Sequence, residues 1–323
     1  MFKYINPGDY RLLNNHNGTT YANNYDAEKV PNSKIGYTCS AEDDYPIVVE
    51  AGTKDLWFKL DTYVADDCTI VIDGGDMRST VSLLSDRVRV SVPYLTDGEG
   101  SNQIKDVEAE ADLNGKASTF IIHVKTSNFT NNDGIYDVYV NNVKKIHISG
   151  LAIMNGGDIC IRTINSSTRE SVFSNIIVSD SKVRGLENVI TLPIKTTEAA
   201  DWTEETTEDG RNYTTEQLYA TISQTIDVDA LKTTLGIDAI NDINITGITL
   251  QVDEMSTNDP NEINAVGKYV LLDNVEYAIG SGMLDDGRSI TTAVTKNPAN
   301  NADWTFEDLE NLKLVLKTEK IGE

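Results

Sequence analysis

Cysteine is scarce in this chain: 3 in 323 residues, at Cys39, Cys68 and Cys160, with no Cys-x-x-Cys pair. That excludes a disulfide framework and leaves the three as small buried hydrophobes. Long apolar runs are missing too. No window approaches the roughly 18 apolar residues of a membrane-spanning helix. The start, Met1-Phe2-Lys3-Tyr4-Ile5-Asn6-Pro7, has no apolar signal-peptide core. Assembly in a cytoplasm is therefore expected, with any later exit by lysis or a dedicated route. Basic residues are in deficit, 27 against 51 acidic, for a net charge of −24. Such a field repels phosphate and argues against nucleic acid or an anionic membrane as partner. The deficit is uneven, with 18 basic and 25 acidic residues up to Leu186 and 9 and 26 after it. There is no glycine-rich phosphate loop, no Gly-x-Ser-x-Gly, no basic patch, and no helical or heptad repeat.

What is present is alternation. Leu56–Val64 places Leu56, Phe58 and Leu60 on one face and Trp57, Lys59, Asp61 and Tyr63 on the other, the period of a strand with one apolar and one mixed face. Ile47–Glu50, Thr69–Asp73, Val81–Val92 and the acidic Val107–Leu113 read as further strands, the last as an edge. Phe120–Ile148 reads as a long strand, a polar loop and a hairpin turning at Asn141-Asn142, and Ser171–Asp180 as a closing strand. Beyond it, Val189–Ile194, Ile243–Val252, Lys268–Tyr277, Ile290–Lys296 and Lys313–Lys317 are expected as strands, and Thr196–Arg211 as a mobile acidic loop. Asp227–Leu235, stopped by Gly236, and Trp304–Leu312, capped by Thr305 with Asp308 three residues on, are expected as short helices. The fold class is mainly β: two antiparallel β-sandwich (jelly-roll-like) domains with few short helices. The divisions are 1–44, an N-terminal arm or first edge strand; 45–186, a sandwich; and 187–323, a second sandwich.

No catalytic constellation stands out. His123 and His147 fall on strands expected to be neighbours, and Asp137 can supply the carboxylate that a metal or base role would need. Isolated strand histidines are more often structural. Glycosidic hydrolysis needs two carboxyls about 5–9 Å apart with opposed pKa values. The nearest arrangement, Glu108-Ala109-Glu110-Ala111-Asp112, lacks an aromatic platform and reads as a solvated edge. No cofactor is expected. Calcium is the one open option, at Asp66-Asp67, Asp73 with Asp76, Asp133, Asp253 with Glu254, or Asp285-Asp286-Gly287, none with EF-hand spacing. Rings that stack on a sugar are sought among Trp57, Tyr63, Tyr94, Tyr136, Tyr139, Trp202 and Tyr213. Trp57 and Tyr139 also suit core packing. The site candidates for glycan or partner contact are Trp57, Tyr63, Tyr136, Trp202 and Tyr213.

Leu56–Tyr63, Gly134-Ile135-Tyr136-Asp137-Val138-Tyr139-Val140-Asn141-Asn142 and Phe173–Asp180 together resemble the hairpin and closing strand of concanavalin A-like (laminin G-like) sandwiches. The resemblance implies that fold for the first domain, with Asn-Asn in place of the usual Asp-Gly turn. Val189–Thr197, Gln224-Thr225-Ile226-Asp227-Val228-Asp229-Ala230-Leu231, Asp273–Tyr277, Asn297-Pro298 and Trp304–Leu312 are similar to blocks in structural proteins of tailed bacteriophages and prophages. This implies a non-enzymatic virion protein of tail or capsid surface, a homo-oligomer among other virion proteins. A glycan-binding module for a bacterial surface is the alternative, and a sandwich glycosidase or lyase the third reading.

Overall fold

The computed structural model describes residues 2–6, 21–24, 35–38, 47–49, 54–65, 67–74, 77–96, 102–127, 130–153, 159–165, 171–183, 189–190, 192–207, 210–235, 244–252, 257, 262–284 and 290–321. The chain is mainly β, with antiparallel pairing in every ladder, and divides into two compact units, residues 1–190 and 191–323.

The first unit runs β1 (Phe2–Asn6), β2 (Tyr21–Asn24), β3 (Ile35–Thr38), β4 (Ile47–Val49), β5 (Asp55–Val64), β6 (Cys68–Gly74), β7 (Met77–Leu83), β8 (Arg87–Leu95), β9 (Asn102–Glu110), β10 (Lys116–Lys125), β11 (Gly134–Val140), β12 (Val143–Leu151), β13 (Ile159–Asn165) and β14 (Val172–Ser179). An eight-stranded sheet has the order β12-β11-β10-β5-β14-β3-β2, with β1 also on β14. A six-stranded sheet has the order β4-β13-β6-β7-β8-β9. One apolar core draws on both sheets. Leu56, Phe58, Leu60, Phe120, Ile122 and Val138 come from the first, and Ile70, Val81, Val88, Val90 and Ile161 from the second. Burying a side chain such as Phe58 contributes about 2 kcal/mol. Alternation on β5 therefore fixes its register, because a one-residue slip would present Lys59 and Asp61 to that core.

The Asn141-Asn142 hairpin forms as expected. Both residues are left-handed, at φ 50° and 64°, as a two-residue turn between twisted strands requires. Thr119 N–H donates to Asn141 Oδ1 at 2.9 Å, tying the turn to the neighbouring strand. The stretch expected as an arm or edge strand supplies three strands of the larger sheet, β1 to β3, with β2 at its edge.

The second unit contains β15 (Ile194–Glu198), β16 (Thr203–Thr207), β17 (Gly210–Thr214), β18 (Thr221–Ile226), α1 (Val228–Leu235), β19 (Ile248–Val252), β20 (Ala265–Leu272), β21 (Val275–Met283), β22 (Ile290–Val294), α2 (Phe306–Glu310) and β23 (Lys313–Glu319). Its five-stranded sheet is ordered β15-β18-β23-β20-β21, with β16–β17 and β19–β22 as two-stranded ribbons. Both expected helices form, and the glycine stop expected at Gly236 lies outside the described residues. Asp227 Oδ1 accepts from Ala230 N–H at 3.0 Å, and Thr305 with Asp308 forms a capping box.

Three expectations are corrected here. The loop expected over 196–211 is largely strand: β15 reaches Glu198, and Thr-rich β16, Thr203–Thr207, pairs with β17, Gly210–Thr214. Lys268–Tyr277 is two strands joined at Asp273-Asn274, a second left-handed pair at φ 49° and 64°. The strand expected over Val189–Ile194 begins only at Ile194.

Candidate functional site

The even-numbered positions of β5 and β10 face the core, so the odd-numbered ones form the outer face of the eight-stranded sheet. Register sets one transverse row across five strands of that face. Ser179 on β14 lies opposite Trp57 on β5, Trp57 opposite His123 on β10, His123 opposite Asp137 on β11, and Asp137 opposite His147 on β12. The Trp57 and His123 rings stack, with centroids 3.9 Å apart and planes within 10°.

Asp137 is the hub. Its carboxylate is 6% exposed and lies 2.6 Å from His147 Nδ1 and 3.5 Å from His123 Nδ1, and it accepts from Lys144 Nζ at 2.9 Å. Burial pushes its carboxyl up. Hydrogen bonds from His147 and Lys144, the Lys144 charge and the His123 contact outweigh burial and hold it below the usual range. The other His123 nitrogen, Nε2, is 2.9 Å from Asp55 Oδ1. Asp55, Lys144 and His147 are each about half exposed, at 49%, 42% and 50%. The row thus has a buried end at Ser179 and Trp57 and an open end at β12.

A satellite apolar cluster explains the buried end. Trp57, Ile121, Ile177 and Val183 pack together, with Tyr139 and Val189 against them. After β14, Val183 and Val189 therefore both pack on this face. Lys182 Nζ stands 6.0 Å from the centroid of the Trp57 ring, and Lys144 Nζ 5.3 Å from that of Tyr139.

Of the residues singled out from sequence, Trp57 and Tyr63 share this outer face. Trp57 is 8% exposed and Tyr63 is half-buried. Tyr136 must be withdrawn as a contact residue. It points inward, is fully buried, and its hydroxyl lies 3.3 Å from Ser79 Oγ, so it offers a ligand no surface. Trp202 and Tyr213 belong to the second unit, at the β16–β17 ribbon, both half-buried, with Tyr213 opposite Glu204. The acidic edge holds in part: β9 borders its sheet but ends at Glu110, with Ala111 and Leu113 turned into the core, and Glu108 meets Arg87 and Arg89 at 3.4 and 3.7 Å, exposed pairs of small energetic weight. Among the acidic positions considered for calcium, Asp73 meets Arg162 at 3.1 Å and Asp133 meets Lys125 at 2.8 Å. Asp66, Asp76, Asp253, Glu254 and 285–287 lie outside the described residues. Among the described residues no group of three or more His, Cys, Asp or Glu is placed to hold a metal ion.

No family model matches the sequence, and no curated protein matches it significantly. Solved structures do resemble it. The endo-β-1,4-glucuronan lyase of the fungus Trichoderma reesei is 10% identical over 55% of this chain and 95% of its own, with a TM-score of 0.35. The binding domain of botulinum neurotoxin serotype G is 11% identical over 94% of this chain and 87% of its own, also at 0.35. The potassium-bound carbohydrate recognition domain of Emp46p is 12% identical over 56% and 98%, again at 0.35. Scores this low carry no argument about function, which rests on the face itself.

Proposed function

We propose that this chain is a non-catalytic binding protein whose first unit presents the open end of the Trp57–His123–Asp137–His147 row to a saccharide. The Asp137 hub carries this reading. It fixes His147 and Lys144 as outward donors, while Asp55, anchored by His123, is an outward acceptor. Sugar hydroxyls are recognised by donors and acceptors held in place beforehand, since ordering them on binding would cost affinity. A carboxylate locked among three partners and held ionised serves as a fixed anion, not as a proton relay.

The test is a glycan array followed by calorimetric titration of the best ligand. His147→Ala and Lys144→Ala are each expected to weaken binding about tenfold, equivalent to about 1.4 kcal/mol. Glu108→Ala, on the other sheet, should leave binding unchanged. Equal loss in all three variants, or an array with no ligand, would refute the reading.

For setting, we propose the particle of a tailed phage or prophage, as a homo-oligomer among other virion proteins. The resemblance read in 224–231 and 304–312 motivates this proposal. Quantitative mass spectrometry of purified particles should find the chain at a fixed copy number. Its absence would remove the setting and leave the saccharide reading to stand or fall on its own test.

A further inference from the structure

The outer face of β5 holds a second cluster, beside the row and next to Val189. Lys59, Asp61 and Asn175 are all buried, at 1%, 3% and 0% exposure. Lys59 Nζ lies 3.5 Å from Asp61 Oδ1, and Asn175 Nδ2 donates to Asp61 Oδ2 at 2.6 Å. Thr119 Oγ1 donates to Asp61 Oδ1 at 2.7 Å and fixes the carboxylate. Asn175 sits where the β14–β5 register shifts, between Ser174 and Ile177, opposite Asp61 and Lys59. It is left-handed at φ 51°, a conformation asparagine tolerates better than most residues. Its carbonyl Oδ1 accepts the Val189 N–H at 2.6 Å.

One carboxylate thus bridges an amine and a carboxamide on neighbouring strands, and a backbone N–H polarises the carboxamide carbonyl. From this geometry we propose that Lys59 and Asn175 join in an intramolecular isopeptide bond, with Asp61 as the proton carrier. A proton passes from the Lys59 ammonium to Asp61. The freed Nζ lone pair attacks Asn175 Cγ, forming the new C–N bond, and the carbonyl electrons move onto Oδ1, where the Val189 N–H meets the developing charge as an oxyanion donor. A second Nζ proton travels by way of Asp61 to Nδ2. The C–Nδ2 bond breaks, the carbonyl re-forms, and ammonia leaves. Lys59 keeps one N–H, now an amide, and one proton stays on Asp61, so atoms and charge balance without any oxidant or co-reactant. A buried ion pair, costly to hold out of water, is replaced by a neutral amide and a neutral acid. Burial also keeps water from competing for the carbonyl.

The full-length protein answers this directly. Its intact mass under denaturing conditions is expected to be lower than the sequence mass by one ammonia, and digestion should yield a branched peptide joining Lys59 to Asn175. Lys59→Arg and Asp61→Ala should each restore the sequence mass. A wild-type mass equal to the sequence after prolonged incubation, with separate Lys59 and Asn175 peptides, would overturn the proposal. So would an ammonia loss that persists in Lys59→Arg, which would place it in a succinimide elsewhere. The wild-type mass stands alone if a variant fails to fold, and glycan binding does not enter the result.

Discussion

Asp137→Ala is expected to lower the unfolding free energy of the first unit by about 3 kcal/mol at neutral pH, the range for breaking a buried charge pair. Lys144 and His147 are half exposed and can return to water, which keeps the loss at the lower end. His123 cannot, because its ring is stacked on Trp57 with one nitrogen on Asp55, and its Nδ1 would face a void. The effect has a pH signature. The folded carboxyl titrates below its ordinary value of 3.8, so the unfolded chain binds the proton more readily. Its stabilisation is present in full above that ordinary value and is lost as pH falls through the lower, folded one. Denaturant titrations of wild type and Asp137→Asn should therefore converge under acid conditions and separate near neutrality. Equal stability at neutral pH would mean that the anion is not the hub.

Lys268→Met is expected to act in the opposite direction and raise the stability of the second unit by up to about 3 kcal/mol, at about 1.4 kcal/mol per pKa unit. Lys268 is fully buried in β20, opposite Leu316 on β23 and in line with Val266, Val270 and Leu272. Burial pulls its amine from 10.5 down to about 8. Between those values the unfolded chain holds the proton and the folded chain sheds it, so stability should rise with pH across that window. Below about 8 the charged amine imposes its full cost. Methionine matches the shape without the charge, and the variant should lose this pH dependence along with the cost. A variant less stable than wild type at neutral pH would show that the amine is held by interactions worth more than its desolvation.

Much of this was legible locally. The Leu56–Val64 alternation, the Asn141-Asn142 turn and the Thr305–Asp308 box each specify their geometry within a few residues. The meeting of His123, Asp137 and His147 was legible for the same reason, since the hairpin turn sets which residues of β11 and β12 face each other, and His123 lies on the strand just before. The β16–β17 ribbon was missed because Thr-Glu-Glu-Thr-Thr has no apolar face for a period to reveal. Asp273-Asn274 was missed because apolar residues flank it on both sides and mask the turn. Tyr136 was misread although its parity with Val138 and Val140 already aimed it inward. Trp57 on His123, and Asn175 on Asp61, depend on β5 meeting strands far along the chain, and in the second case on a bulge. No local pattern encodes either.

The pairing of β1 with β14 has a consequence for biosynthesis. The unit's first strand is held by its last, and β5 has β14 as one of its two neighbours. During synthesis that flank of β5 stays open until Val172–Ser179 emerges from the ribosome. Contacts so distant along the chain make folding slow. A nascent chain stalled before Val172 would expose a strand edge rich in Leu, Trp and Phe, open to pairing with other chains and in need of a chaperone.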